Sequence, residues 1–135
     1  MNDCIFCKIV SKEISAPIVY EDDTTIAFLD NKPVNPGHLL VLPKKHARNV
    51  FDIDAEDWKA VMNTARVLAP ALQKATGAGG INIIVNNEPA AGQVVFHSHV
   101  HVIPRFEGDG FKHWPGRDIS EEESAKLREK IIASL

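Results

Sequence analysis

Cysteine and long apolar runs are scarce in this chain. Only two cysteines occur among 135 residues, and both lie in one Cys4-x-x-Cys7 pattern. A disulfide framework is therefore excluded, and in a reducing compartment such a pair is more often half of a metal site or a redox pair. No apolar run approaches the roughly 20 residues of a membrane span, and the first residues lack the regions of a signal peptide. We therefore expect a cytoplasmic protein with no membrane partner.

An excess of charge of one sign is also missing. The formal net charge is −3, and the longest basic block is Lys44-Lys45. This balance argues against a nucleic-acid backbone as the partner and leaves a small anionic ligand open. There is no internal repeat, low-complexity segment or linker, so residues 1–135 predict a single globular domain, and 44% hydrophobic residues suffice for a core.

Polar turns alternate with apolar segments along the whole chain, which predicts an α+β fold with an antiparallel sheet. Helical spacing after an Asp54 N-cap predicts one long helix that stops at Gly77, with Pro70 kinking it or splitting off its last turn. Ser120 and Glu123 resemble a capping box that opens a short C-terminal helix. Five strands are predicted, at 17–20, 24–29, 38–42, 81–85 and in a histidine-rich segment around 97–102. An uncovered sheet edge suits extension by a second copy, so we expect a homodimer.

The most informative segment places His97, His99 and His101 at every second position. In a strand, this alternation projects the imidazoles from one face and an apolar row from the other. Neighbouring imidazoles would start about 7 Å apart, so three on one strand suit an elongated charged ligand better than one metal ion. Imidazole is also a nucleophile and proton carrier near neutral pH. The alternative is a histidine-rich surface or core strand without a catalytic role.

This segment, from Gly92 to Pro104, resembles the signature of the histidine triad (HIT) nucleotide hydrolases and transferases. The resemblance extends over nearly all of the chain except the last helix. It is carried by Cys4-Ile-Phe-Cys7, Phe28-Leu-Asp30, Pro36-Gly-His-Leu-Leu-Val-Leu-Pro-Lys-Lys-His46, Asn86 and His113-Trp-Pro-Gly116.

The resemblance implies covalent catalysis, in which His99 attacks the α-phosphate of a purine nucleotide and water then releases the nucleoside monophosphate. By the same resemblance, His101 hydrogen-bonds the phosphate, and His97 contacts His38 to form a relay behind the nucleophile. The resemblance also assigns the residues that bind the substrate. Backbone N–H groups around Gly92 to Val94 and the side chains of Asn86 and Gln93 bind phosphate. Asp30 binds the ribose, and the base pocket is lined by Phe6, Ile9 and Phe28. Without the histidine row, Asp30 would simply begin a turn and the apolar residues would be core.

Cys4 and Cys7 supply two thiolates, and a closed zinc site needs two further ligands. Matched to family members that carry a structural zinc, the ligands are Cys4, Cys7, His46 and His97. A reduced thiol pair, a redox couple or no role are the alternatives. His113 and Trp114 match an element that approaches the partner's active site in dimeric relatives, or else they simply anchor the C-terminal segment.

Two substrate classes compete. Chain length, Pro-Lys-Lys-His46, Asn86 and His113-Trp-Pro favour adenosine phosphoramidases, whereas Arg105 after Ile103-Pro104 is typical of diadenosine polyphosphate hydrolases. Val94 departs from the small hydroxyl residue that many relatives place there, which affects protonation of the leaving group. We expect the phosphoramidase class. A nucleotide-binding regulatory protein with negligible turnover and a zinc hydrolase using His97 and His99 as ligands are the alternatives from other classes.

Overall fold

The computed structural model describes residues 3–135 and contains one five-stranded antiparallel sheet in the order β1-β2-β3-β5-β4. The predicted α+β class is confirmed. The strands are β1 (Ile18–Glu21), β2 (Thr25–Leu29), β3 (Leu39–Pro43), β4 (Gly80–Val85) and β5 (Val100–Arg105), and the helices are α1 (Ile5–Val10), α2 (Ala55–Thr76) and α3 (Glu121–Ala133).

The long helix α2 covers one face of the sheet. Alternate residues of the central strands, such as Val41 on β3 and Val102 on β5, pack there against Val61 and Ala65 of α2. Burying this apolar face is the main source of stability for such a layered fold. The catalytic candidates must therefore lie on the opposite face.

The opposite face is covered only in part, by the short helix α1. Phe6 and Ile9 of α1 pack there with Phe28 and Leu40 from the sheet. Leu40 pairs with His101 across β3 and β5, so His101 projects from this same face. The sheet thus separates an apolar core under α2 from a face that carries imidazole.

Most predicted elements are confirmed. The hairpin β1–β2 is tied by Asp22 Oδ1, which accepts hydrogen bonds from the backbone N–H groups of Thr24 and Thr25 at 2.8 and 2.7 Å. Helix α2 ends at Gly77 in the left-handed conformation, as predicted. The predicted split at Pro70 is wrong, because α2 continues through it to Thr76. Ser120 caps α3 by accepting from Glu123 N at 3.1 Å.

The histidine segment is only partly a strand, and this corrects the prediction. Strand β5 begins at Val100, so His97 and His99 precede it. The register would pair Ser98 with Pro43, which has no N–H and whose carbonyl oxygen already accepts from His97 Nε2 at 2.7 Å. Ser98 N instead donates to Ala47 O at 2.7 Å. Pairing therefore ends at Val100, three residues after His97, the first histidine that was predicted to lie in the strand.

Two short elements were not predicted. Helix α1 contains Cys7, and Cys4 caps it by accepting from Cys7 N at 3.4 Å. A single 3-10 turn, Pro89–Ala91, interrupts the loop before the histidines. Both are too short to give a periodic signal. Within residues 3–135, no helix combines the length and the apolarity needed to cross a bilayer.

Candidate functional site

A hydrogen bond to the backbone determines which ring nitrogen of His99 carries the proton and which has a lone pair. Its Nδ1 lies 2.7 Å from the carbonyl oxygen of His97, and a carbonyl only accepts, so Nδ1 carries the proton. In the neutral ring Nε2 is then unprotonated. Burial lowers the pKa of His99, although the His97 carbonyl and the charge of Asp30 oppose the shift. The ring is therefore neutral at neutral pH, and its Nε2 has the lone pair that a nucleophile needs.

A second chain of hydrogen bonds sets the protonation of His101. Val34 N–H donates to His38 Nδ1 at 3.0 Å, so the proton of the neutral His38 ring is on Nε2. His38 Nε2 in turn lies 2.9 Å from His101 Nδ1 and donates to it. The remaining proton of His101 is then on Nε2, from which it can be donated to a ligand. Burial and the neighbouring His99 and His38 lower the pKa of His101 to about 4.

The predicted contact between His38 and His97 is wrong. His38 bonds to His101, and its Nε2 also lies 3.7 Å from the carboxylate of Asp30. His97 is fully buried and uses both nitrogens elsewhere, donating from Nε2 to Pro43 O and directing Nδ1 at Cys4, Cys7 and His46. The hydrogen bond to His38 that was assigned to His97 is thus made by His101. His97 acts on His99 only through its carbonyl oxygen.

The four predicted metal ligands converge. Their ligand atoms all lie within 4.8 Å of one another, and His97 Nδ1 is 3.5 and 3.4 Å from the sulfurs of Cys4 and Cys7 and 3.2 Å from His46 Nδ1. Zinc bonds of 2.0–2.3 Å in a tetrahedron give ligand separations of about 3.3–3.8 Å. Because His97 Nε2 carries the proton, its Nδ1 lone pair faces the other three ligands. The residues therefore fit a closed structural zinc site.

His99 belongs to neither cluster of metal-ligating side chains found within residues 3–135. The second cluster is Asp30, His38 and His101. There the facing nitrogens of His38 and His101 already share a proton in a hydrogen bond. This placement argues against the reading in which His97 and His99 hold a catalytic zinc.

The 86–96 loop lies before the histidines, and it modifies the predicted phosphate contacts. Gln93 is buried, and its Nε2 donates to Arg48 O at 2.7 Å and Val95 O at 3.1 Å, so both protons of this amide are used inside the protein. The N–H groups of Gly92 and Gln93 donate to Pro89 O and Glu88 O. Gln93 is thus wrong as a side-chain donor to phosphate.

Val94 and Asn86 remain available in this loop. Among residues 3–135, none accepts a hydrogen bond from Val94 N–H, and the Val94 side chain is 83% exposed. The Asn86 side-chain nitrogen lies 3.9 Å from where a Cβ on Gly92 would be. Gly92 has φ of +91°, which a residue with a Cβ rarely adopts.

The predicted nucleoside contacts lie beside the imidazoles. Asp30 Oδ1 accepts from Lys32 N at 2.9 Å, so this residue does begin a turn, while its other oxygen faces His38. Phe6 meets the His99 ring edge-on at 5.1 Å and the Phe28 ring at 5.6 Å. Ile9 and Phe28 are buried in the core under α1. Of the three apolar candidates, Phe6 therefore touches the nucleophile directly.

The guanidinium of Arg105 is fully engaged by neighbouring residues. Its guanidinium donates to both carboxylate oxygens of Asp109 at 2.7 and 3.0 Å, to Asn82 Oδ1 at 2.7 Å and to Phe111 O at 2.8 Å. These contacts hold the turn after β5, and Asp109 has a pKa far below its usual range because of them. The feature that suggested a polyphosphate hydrolase is accounted for by local structure.

A network of polar residues next to the 86–96 loop was missed by the sequence analysis. Arg48, Asn49 and Glu88 are joined to Gln93 by side-chain hydrogen bonds. Glu88 has φ of +75° and ψ of +157°, a region that is almost exclusive to glycine and strains other residues by about 1–3 kcal/mol. Only Pro89 after Glu88 hinted at a constrained turn.

His113 and Trp114 lie apart from the three central histidines. His113 lines a cleft of about 560 Å³ between the start of β4 and the segment after β5. Trp114 is 88% exposed, and no residue of α3 is buried. Within one chain these two residues neither reach the imidazoles nor act as a buried anchor.

Comparison with known proteins gives one family. The model of the HIT domain matches residues 11–108. Adenylylsulfatase HINT3 of Arabidopsis thaliana is 42% identical over 108 residues, which are 80% of this chain and 55% of that protein. The crystal structure of a HIT family member from Bacillus subtilis has a TM-score of 0.92 at 38% identity, covering 99% of this chain and 98% of that one. A Zn-bound histidine triad protein of Mycobacterium smegmatis has a TM-score of 0.79 at 37% identity, covering 98% and 94%.

Proposed function

The chain belongs to the HIT family, and on that premise we propose that it hydrolyses purine nucleotide conjugates at the α-phosphate through a nucleotidyl-His99 intermediate. The observation that carries the proposal is the hydrogen bond between His99 Nδ1 and the His97 carbonyl, because it leaves Nε2 as a neutral nucleophile. A relative named as an adenylylsulfatase supports an enzyme of the hydrolase or nucleotidyl-transferase type.

The reaction has two displacements at phosphorus. His99 Nε2 forms a bond to the α-phosphorus while the bond to the leaving group breaks, and the leaving group takes up a proton. Water then attacks the same phosphorus, the bond to Nε2 breaks, and the released nucleoside monophosphate carries the new oxygen while a proton is lost. His101 Nε2–H donates to a phosphate oxygen in both steps, and His38 fixes that proton in place.

Three groups complete substrate binding in this proposal. Asp30 has one carboxylate oxygen outside its turn and accepts from the ribose hydroxyls. Phe6, with Ile9 and Phe28 behind it, forms the apolar surface for the purine. Val94 N–H, with Asn86, binds the phosphate. Apolar base pockets discriminate weakly, so several purines are accepted.

The cations around the site favour an adenosine phosphoramidate over a diadenosine polyphosphate. A polyphosphate chain carries several negative charges that need basic partners. Arg105 is bound to Asp109, and Arg48 is bound to Glu88 at 2.7 Å. Lys44 and Lys45 pair with Glu21 and Asp54. An amine leaving group carries no negative charge and therefore needs no basic partner.

A structural zinc at Cys4, Cys7, His46 and His97 is part of the proposal. Such a site supplies cross-linking and no open coordination position. Here it would join α1 to the segment that contains His97, whose carbonyl orients His99. The Zn-bound relative from Mycobacterium smegmatis supports the assignment.

The proposed partner is a second copy of the chain. At one end of the sheet, β1 follows Pro17 and has an irregular register, features that discourage edge pairing. At the other end, β4 has six residues, regular pairing and no charged or proline residue. We propose that β4 is the edge at which the sheet continues into the second copy, with His113 and Trp114 approaching that copy's site.

A substrate panel tests the proposal. Wild type and His99→Ala are compared for release of adenosine monophosphate from an adenosine phosphoramidate, adenylyl sulfate and diadenosine tetraphosphate. We expect the phosphoramidate to have the highest kcat/KM and His99→Ala to lose at least about 1,000-fold. Preference for the tetraphosphate would assign the other substrate class. Binding of nucleotide without any release would instead indicate a regulatory binding protein.

A further inference from the structure

The segment 47–52 lies along the whole length of the 86–96 loop. Ala47 O accepts from Ser98 N just after the loop, Arg48 O accepts from Gln93 Nε2 within it, and Val50 N donates to Asn87 Oδ1 at its start. The contacts at 2.7, 2.7 and 2.9 Å are evenly distributed. The shape of the loop is therefore set by a neighbouring segment and not by the loop alone.

Glu88 is the point at which the two segments are joined most strongly. Its carboxylate accepts two hydrogen bonds from Arg48, Nε at 2.7 Å and Nη2 at 2.9 Å, and a third from Asn49 Nδ2 at 2.6 Å. Its backbone N–H donates to Gln93 Oε1 at 2.8 Å, and Gln93 N donates back to its carbonyl at 3.2 Å. Both the side chain and the backbone of Glu88 are thus fixed.

These contacts hold Glu88 in a conformation that stability alone does not favour. At φ of +75° and ψ of +157° glycine would be unstrained. Ion pairs as exposed as Arg48–Glu88 contribute little to folding. The strain therefore exceeds what the exposed ion pair returns in stability, so the role left for these contacts is to fix one loop geometry.

We propose that Arg48, Asn49 and Glu88 are positioning residues, which act through Gln93 to aim the Val94 N–H at the α-phosphate. The proposal rests on the proposed function of the 86–96 loop as the phosphate site. The side chain of Gln93 bonds both to Glu88 N and to Val95 O, so the backbone before Val94 and the residue directly after it are tied to the same amide. Loosening Glu88 would free this turn without touching the imidazoles.

The test compares Glu88→Gly and Glu88→Gln with a matched control. Glycine removes the strain together with the clamp, whereas glutamine keeps the length of the side chain and loses the charge. The control is Glu56→Gln on α2, which loses an exposed ion pair with Lys59 far along the chain from the loop. For each variant we would measure kcat and KM for an adenosine phosphoramidate, the thermal midpoint, and amide hydrogen exchange without ligand.

For Glu88→Gly we expect kcat to fall about 10- to 100-fold with KM changed less than about threefold, because misplaced donors weaken the transition state most. The thermal midpoint should stay within about 3 °C of wild type. Among residues 92–95, the amides of Gly92 and Gln93, which donate to Pro89 O and Glu88 O, should exchange about tenfold faster while those of α2 are unchanged. The kcat and the amide exchange rates of Glu88→Gln should lie between those of wild type and Glu88→Gly, and those of Glu56→Gln should match wild type.

The exchange measurement separates failure of this inference from failure of the proposed function. If wild type has no turnover but Glu88→Gly still loosens residues 92–95, the loop is positioned for binding and the proposed reaction is wrong. If Glu88→Gly leaves both kcat and the exchange of 92–95 unchanged, the positioning role is overturned. A large loss of thermal stability with unchanged kcat would also overturn it, since the network would then serve folding.

Discussion

At the scale of single residues, backbone groups determine what each imidazole can do. The carbonyls of His97 and Pro43 fix protons on His99 Nδ1 and His97 Nε2, and the N–H of Val34 fixes the proton of His38 on Nε2. A backbone carbonyl cannot donate and an N–H cannot accept, so these assignments follow from geometry. The three imidazoles thereby differ in which nitrogen carries the proton, and this difference supports the proposed roles of nucleophile, phosphate donor and metal ligand.

The pKa values of the imidazoles predict the pH dependence of the reaction. Burial lowers the pKa of His99 and His38, and that of His101 to about 4, from an ordinary 6.5. Each ring becomes half-protonated only below pH 6.5, so the acid limb of kcat/KM, which reports on the free enzyme, should have its midpoint below 6.5. An acid limb with its midpoint at or above 6.5 would contradict this.

The same shifts predict how stability depends on pH. Between about pH 4 and 6.5 the unfolded chain binds more protons than the folded one, because its histidines have ordinary pKa values. Stability should therefore be full above pH 6.5 and decline as the pH falls towards 4. Urea unfolding at several pH values measures this slope, and greater stability at pH 5 than at pH 7.5 would contradict the sign.

Residue types and spacing could be predicted from the sequence, but hydrogen-bond partners could not. The alternating histidines predict a shared face and a catalytic role. That His38 meets His101 instead of His97 depends on the register of β3 against β5. That Gln93 is directed inward depends on the segment 47–52, which is distant in sequence. Long-range pairing of this kind leaves no local pattern.

At the scale of elements, α1 is the part that depends most on side-chain chemistry. It has six residues, well below the roughly 12–15 that an isolated helix needs in water. Phe6 and Ile9 bury its apolar side, and Cys7 joins it to His46 and His97. Zinc at this site would therefore stabilise the helix and, through the His97 carbonyl, the orientation of His99.

Metal removal tests this link. We expect the purified protein to hold one zinc ion per chain and prolonged chelation to lower its thermal midpoint by at least about 5 °C. Cys7→Ser should not bind zinc, and its thermal midpoint should be lowered by a similar amount. Chelation should then have no further effect on this variant. A wild-type protein that contains no zinc and is insensitive to chelation would contradict the metal assignment.

Long periodic elements were predictable, and their interruptions were not. Helix α2 was predicted within a residue at each end because its apolar spacing, acidic first turn and terminal Gly77 agree. A kink or a split-off last turn was predicted at Pro70, and the split does not occur, since packing of the apolar side of α2 on the sheet offsets a lost hydrogen bond. Strand β5 began later than predicted because Pro43 ends the opposite ladder.

At the scale of the whole molecule, β1 and β4 are the outer strands of the sheet that residues 3–135 form, and no residue of α3 is buried. One sheet joins all five strands and carries a core on each face. This supports the proposal that residues 1–135 act as one domain. The exposed apolar residues of α3, among them Leu127, Ile131 and Ile132, are consistent with contact to a second copy.

A lysine introduced on β4 tests whether this edge strand forms the dimer interface. Ile83 on β4 is 44% exposed and Val19 on β1 is 49% exposed, so the two positions are matched within the monomer. Lysine on an edge strand discourages pairing. We expect Ile83→Lys to shift the protein to monomer in sedimentation experiments and Val19→Lys to leave it dimeric. A monomeric wild type, or dissociation by Val19→Lys alone, would contradict the assignment of the β4 edge.

The most direct test of the central claim is the intact mass of the protein after rapid, acid-free quenching with an adenosine phosphoramidate. The wild type should carry a transient adenylyl group that decays as adenosine monophosphate is released, and His99→Ala should carry none. A wild type that releases the monophosphate without any adduct, or an adduct that persists in His99→Ala, would contradict covalent catalysis by His99.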